Sequence, residues 1–73
     1  MAQTTIETLR ANVAFFDGEI TRLERAAADL QHRKPWLDAE LSLTAAQIDH
    51  DLRRARVFRQ GTLAAIVEHE TQA

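Results

Sequence analysis

Cysteine and tyrosine are absent from this chain, and glycine and proline together supply three residues. Without cysteine there is no disulfide to staple a small fold and no thiolate ligand for a structural zinc. Scarce glycine and proline, with alanine, leucine, arginine and glutamate common, suit helix and argue against a sheet. Charge of one sign is also lacking. A formal net charge of −2 creates no field that would draw the whole molecule to nucleic acid or to an anionic membrane. No apolar run approaches the roughly 20 residues of a membrane-spanning helix. The first five residues, Met-Ala-Gln-Thr-Thr, lack the basic segment and apolar stretch of a secretory signal, which predicts a cytoplasmic protein.

Catalytic and metal-binding patterns are missing as well. There is no nucleophile elbow, glycine-rich phosphate loop or zinc-spaced histidine set. His50 stands between Asp49 and Asp51, but three consecutive helical residues point in three directions and do not converge on one atom. Glu68, His69 and Glu70 fail in the same way. No catalytic, cofactor-binding or metal-binding residue is assigned, and the chain is expected not to be an enzyme.

What is present is helical pattern. Between Thr4 and Gln31, Ile6, Val13, Ile20 and Ala27 recur at one core position of a heptad, with Leu9, Phe16, Leu23 and Leu30 at the other. An unbroken apolar seam of this kind belongs to a helix packed lengthwise on another helix. Thr4-Thr5-Ile6-Glu7 has the form of a capping box, which starts helix 1 at about residue 4 and carries it to 31. Gly18 interrupts it on the surface, or marks a place where another backbone comes close. Glu7–Arg10, Glu19–Arg22 and Asp29–Arg33 have the spacing of stabilising helical ion pairs.

His32-Arg33-Lys34 then meets Pro35, whose ring disfavours helical geometry in the preceding residue and suits the first turn of a new helix. A turn over 32–35 makes the two helices antiparallel neighbours. From Trp36 the 3.6-residue period places Leu37, Leu41, Ala45, Ile48, Leu52, Ala55, Leu63 and Ile66 in one arc, predicting a second helix over about 36–69. Two sites compete with continuity. Thr44-Ala45-Ala46-Gln47 is a second capping box, flanked by Leu43 and Ile48 as a hydrophobic staple, and Gln60-Gly61-Thr62 offers a break or kink near Gly61.

The fold class is therefore all-α: a single domain over 1–73, folded as an antiparallel helical hairpin. A 73-residue chain buries only roughly 60% of its unfolded surface, so such a core is marginal alone. Phe15, Trp36, Leu43, Val57 and Phe58 also point away from the main stripes, and the chain has no third layer to cover them. Self-association into a homodimeric four-helix bundle, or a higher oligomer, is the expected remedy. Phe15, Phe16, Ile20, Leu23, Leu41, Ile48 and Leu52 are its candidate residues. Arg59 falls on the apolar stripe, either snorkelling near a helix break or paired with a carboxylate across the subunit interface.

The segment Arg53-Arg54-Ala55-Arg56-Val57-Phe58-Arg59 concentrates four arginines around an aromatic residue. Such a surface suits phosphate contacts, an acidic protein surface or plain solvation, and Asp49 and Asp51 stand at pairing distance from Arg53 and Arg54. The polar faces carry mixed charge rather than the cationic face of a membrane-surface helix. The sequence thus predicts a small non-catalytic protein that homo-oligomerises and binds another protein, as an adaptor, assembly factor or small inhibitor such as a phage or mobile element encodes. Trp36, Val57 and Phe58 are the candidate anchors, with Arg53, Arg54 and Arg56 as steering charges. The alternative is binding of nucleic acid or an anionic phosphate ligand through the Arg53–Arg59 patch.

Overall fold

The computed structural model describes residues 5–72. Helix α1 runs Ile6–His32 and helix α2 runs Ala39–Gln72, antiparallel to it, with a short 3-10 turn at Pro35–Leu37 between them. Among the described residues there is no strand. The expected helical hairpin is thus the fold, and its details follow from local chemistry.

Helix α1 begins at Ile6, two residues after the start expected at about residue 4. Thr5 is extended (φ −90°, ψ 164°), and its hydroxyl accepts from the backbone N–H of Thr8 at 3.2 Å. The cap expected at Thr4 lies outside the described residues. At the other end, the amide of Arg33 donates to the carbonyl of Leu30 and the amide of Lys34 to that of Gln31. Lys34 then takes the left-handed conformation, φ 52°, ψ 64°, which reverses the chain where a glycine would ordinarily serve.

The turn is longer and more ordered than a four-residue connection. Pro35 opens a 3-10 turn instead of α2 itself, and its ring is buried. Asp38 then returns to extended geometry and caps α2, its carboxylate accepting from the amides of Glu40 at 2.9 Å and Leu41 at 3.3 Å. The start of α2 expected at Trp36 therefore moves to Ala39, and its end moves from 69 to Gln72. The Ser42 hydroxyl reaches back to the Pro35 carbonyl and ties the first turn of α2 to the connection.

Helix α2 is continuous, as the unbroken phase predicts, and neither competing interruption occurs. Thr44 donates its hydroxyl to the carbonyl of Glu40, and Thr62 does the same to Phe58, so both bond inside a running helix instead of capping a new one. Leu43 is 73% exposed, so the staple with Ile48 is not made. Gly61 passes through in helical geometry.

The seam follows the apolar stripes. Leu23, Leu52 and Ala55 form the buried centre, with Ile20 and Ile48 packed against it, and Leu9 and Leu30 are buried towards the two ends. Leu41, Ala45, Leu63 and Ile66 are half-buried along the same line. Leu37 is the exception. It sits in the 3-10 turn instead of on α2 and is 75% exposed, because the stripe's phase starts only once the helix does. Among the described residues no large side chain is completely enclosed. Two helices bury a line of contact, not a volume.

The resulting body measures 54 × 21 × 15 Å, with a radius of gyration of 16.3 Å against about 11 Å for a compact chain of this length. It exposes 5770 Å². A compact chain of the same mass would expose about 4,600 Å².

Candidate interaction surface

A two-helix layer has two broad faces, and here they differ in chemistry. On one face, Phe15, Glu19 and Arg22 succeed each other along α1 at spacings of four and three, while Asp51, Arg54 and Phe58 do so along α2 at three and four. Because the helices are antiparallel, the two rows run side by side with the aromatic residues together. The Phe15 and Phe16 rings meet edge to face, 5.4 Å between centroids. Phe16 stacks on Phe58 across the seam, at 5.8 Å and 22° between planes. The Arg54 guanidinium lies 5.6 Å from the centroid of the Phe58 ring. This is a cation–π contact that leaves the charge facing water. Phe15 is 62% exposed and Phe58 49%. A shallow groove of about 190 Å³ runs over this face between Phe15, Phe58, Leu23 and Ala55.

The charges beside the rings are balanced. Arg22 donates to Glu19 at 2.8 Å, and this hydrogen bond holds the Glu19 carboxyl below its ordinary range. The same bond raises Arg22, and Asp51 across the seam adds a weaker attraction. Asp51 accepts from the Gln47 side chain at 2.9 Å.

The opposite face is laced by ion pairs between the helices. Arg59 donates to Asp17, and Arg56 stands 4.0 Å from Glu24. Both pairs border a wider open groove that includes Ile20, Thr21 and Gln60. Arg10 and Glu70, at 3.5 Å, extend this cross-helix pairing towards the open end of the hairpin.

The arginine segment is consequently divided. Arg53 pairs with Asp49 at 3.1 Å on its own helix, Arg54 lies over Phe58, and Arg56 and Arg59 turn to α1. The expected local pairs Asp29–Arg33 (3.8 Å) and Asp49–Arg53 form, as does Glu19–Arg22. Among the described residues Glu7–Arg10 and Asp51–Arg54 do not, since Arg10 reaches Glu70 and Asp51 is taken by Gln47. Arg59 neither snorkels at a break nor waits for a second subunit. Its carboxylate, Asp17, comes from α1 of the same chain.

The residues expected to mediate self-association fall in two sets. Ile20, Leu23, Ile48 and Leu52 belong to the seam within the hairpin, and Phe16 and Leu41 are half-buried beside it. Phe15 alone of that set is exposed. Of the candidate anchors, Trp36 is 65% exposed and stands with Leu37 and Leu43 at the turn end, while Val57 points outward from the middle of α2. Val67 is also exposed, a residue the off-stripe reading passed over. Its position about 80° from the middle of the α2 stripe, at 100° per residue, was the available signal, since a two-helix layer leaves positions outside the arc uncovered.

Among the described residues no group of three histidine, aspartate or glutamate side chains is gathered to hold a metal ion. Nor is any helix long and apolar enough to cross a membrane. Comparison with family models, curated proteins and solved structures finds no match.

Proposed function

We propose that this chain is a non-catalytic helical hairpin of the cytoplasm that associates with copies of itself and binds another protein, as an adaptor, assembly factor or small inhibitor. The observation that carries this reading is the set of seven large apolar side chains left exposed by a fold with no other layer: Phe15, Trp36, Leu37, Leu43, Val57, Phe58 and Val67. Each forgoes a large part of the roughly 1.5–3 kcal/mol that full burial of such a side chain supplies. They fall apart in space, which suits two separate contacts. Phe15 and Phe58 lie together near the middle of one face, and Trp36, Leu37 and Leu43 lie in the turn and the first turns of α2. The turn is also held in shape by the buried Pro35 ring, the Asp38 cap and the Ser42 bond, so Trp36 is presented at little ordering cost.

Phosphate binding through Arg53–Arg59 has less support, because each arginine already faces a carboxylate or a ring. The two readings part on salt. Solution mass by light scattering should show an oligomer that persists at high ionic strength. Immobilised chain should retain a partner from cells in high salt and lose it in a W36A/L37A/L43A variant. Retention that collapses in salt and depends on Arg53, Arg54 and Arg56 would replace this proposal with the anionic ligand.

A further inference from the structure

Resting on the self-association just proposed, we infer which surface performs it: the aromatic face is occupied by a second copy of this chain, related by a two-fold axis along the hairpin. Three observations point there. The first is area. The hairpin exposes about 1,200 Å² more than a compact chain of its mass, beyond the roughly 800 Å² that each partner buries in a standard interface. A face-to-face pair of hairpins recovers such an area by becoming a four-helix bundle.

The second is charge. The aromatic face carries two acids, Glu19 and Asp51, and two bases, Arg22 and Arg54, around the three phenylalanines. A two-fold axis parallel to the helices lays α1 of one copy over α2 of the other at equal height. At the height where Phe16 meets Phe58 within the chain, the phenylalanines of the two copies then meet each other. One turn further on, Glu19 faces the second copy's Arg54, and a turn beyond that Arg22 faces the second copy's Asp51. The same operator repeats both contacts in reverse, as an isologous interface requires. Arg22 gives only its Nε and Nη2 to Glu19, so its guanidinium keeps donors for a second carboxylate.

The third is the contrast with the other face. There Asp17, Glu24, Arg56 and Arg59 are already matched across the seam within one chain. That face has its charges matched between the two helices, whereas on the aromatic face Glu19 and Arg22 pair along one helix and the four charges form a self-complementary set.

The test uses the full chain and two charge variants, R22E/R54E at exposed positions and E19R/D51R at half-buried ones. The first makes the face acidic and the second makes it basic. Each alone should lose the dimer mass at concentrations where the wild type is dimeric, with helix content by circular dichroism unchanged. Mixed in equal amounts, they should regain the dimer mass as a heterodimer. F15S/F58S should be monomeric and R56A dimeric. If the wild type is an oligomer but both charge variants and F15S/F58S keep its mass, this interface is wrong while self-association stands. If dissociated variants fail to recombine, the two-fold register is overturned. A wild type that stays monomeric to high concentration removes self-association itself.

Discussion

Arg59 donates from Nε to the Asp17 carboxylate at 2.5 Å, joining two residues 42 positions apart across the hairpin seam. The arginine occupies a position on the apolar stripe of α2 where its neighbours a turn away are Ala55 and Leu63. It is not buried, at 37% exposure, so the contact is a screened ion pair instead of a desolvated one. Asp17→Asn should cost about 0.5 kcal/mol, the usual worth of such a pair, and less at high salt. Arg59→Leu should match or exceed the wild type, because it continues the seam without a charge to solvate. Denaturant melts at two salt concentrations check both.

Glu19 provides the pH dependence. Its carboxyl is held below the ordinary value of 4.5 by the hydrogen bond from Arg22. A group lowered on folding binds its proton more readily when unfolded. Its contribution is therefore fully present above pH 4.5 and lost as pH falls through the lowered value. Glu19→Gln should lower stability slightly at neutral pH, where the pair is intact, and flatten the acid limb, so that variant and wild type converge at low pH. An unaltered acid limb would mean that the pair is too solvated to matter. The raised Arg22 titrates far above neutral pH and adds nothing to the working range.

Lys34 is the one described residue with positive φ, at 52°, and neither glycine shares it. The left-handed region costs a side chain with a Cβ about 1–2 kcal/mol, and glycine avoids that cost while losing more freedom on folding. Lys34→Gly should therefore stabilise the hairpin by about 0.5 kcal/mol, read as a raised melting temperature. Lys34→Val, branched at Cβ, should lower it.

The seam was legible from sequence because it depends on one periodicity per helix. Leu23 and Leu52, the central buried pair, follow directly from the heptads of α1 and the 3.6-residue phase of α2. The turn was less so. Pro35 marks it correctly, but a proline at the first position of a helix looks the same in sequence whether three or thirty residues of helix follow. Asp38, the residue that caps α2, was hidden because Pro35 already supplied a start. Thr44 and Thr62 offered competing starts for a related reason. A threonine hydroxyl satisfies a carbonyl within a helix as well as an amide at its start, and only the packed partner decides. Cross-helix partners such as Asp17 for Arg59 and Glu24 for Arg56 depend on the register of α1 against α2, which periodicity alone leaves free. The aromatic face needed that register too, since Phe16 and Phe58 sit on different helices.

Gly18 and Gly61 each lie within a helix, and a Cβ built on either meets no atom within 4 Å. The close backbone approach considered for Gly18 is therefore not made within the hairpin. Alanine at either position should add about 0.5–1 kcal/mol of stability by restricting the unfolded chain and favouring helix. The double variant should add nearly both increments, as the sites share no partner. A stabilised Gly18→Ala chain that also loses its dimer mass would place a second copy's backbone against that position.

Trp36 is the sole tryptophan, so its fluorescence reports on the turn end alone. It is 65% exposed, and about 24 Å of helix separates the turn from the Phe16–Phe58 stack. Dimerisation through the aromatic face leaves it in water. Its emission should be that of a solvated indole, quenched freely by iodide, and unchanged as the protein is diluted from dimer to monomer. A blue shift that grows with concentration would instead put the turn end into the self-contact and leave Phe15 and Phe58 for other use. Ser42→Ala, which removes the bond to the Pro35 carbonyl, should lower the anisotropy of Trp36 without moving its emission. That outcome would tie the presentation of the indole to the turn's own hydrogen bonds, because nothing else in the hairpin is altered by losing one hydroxyl.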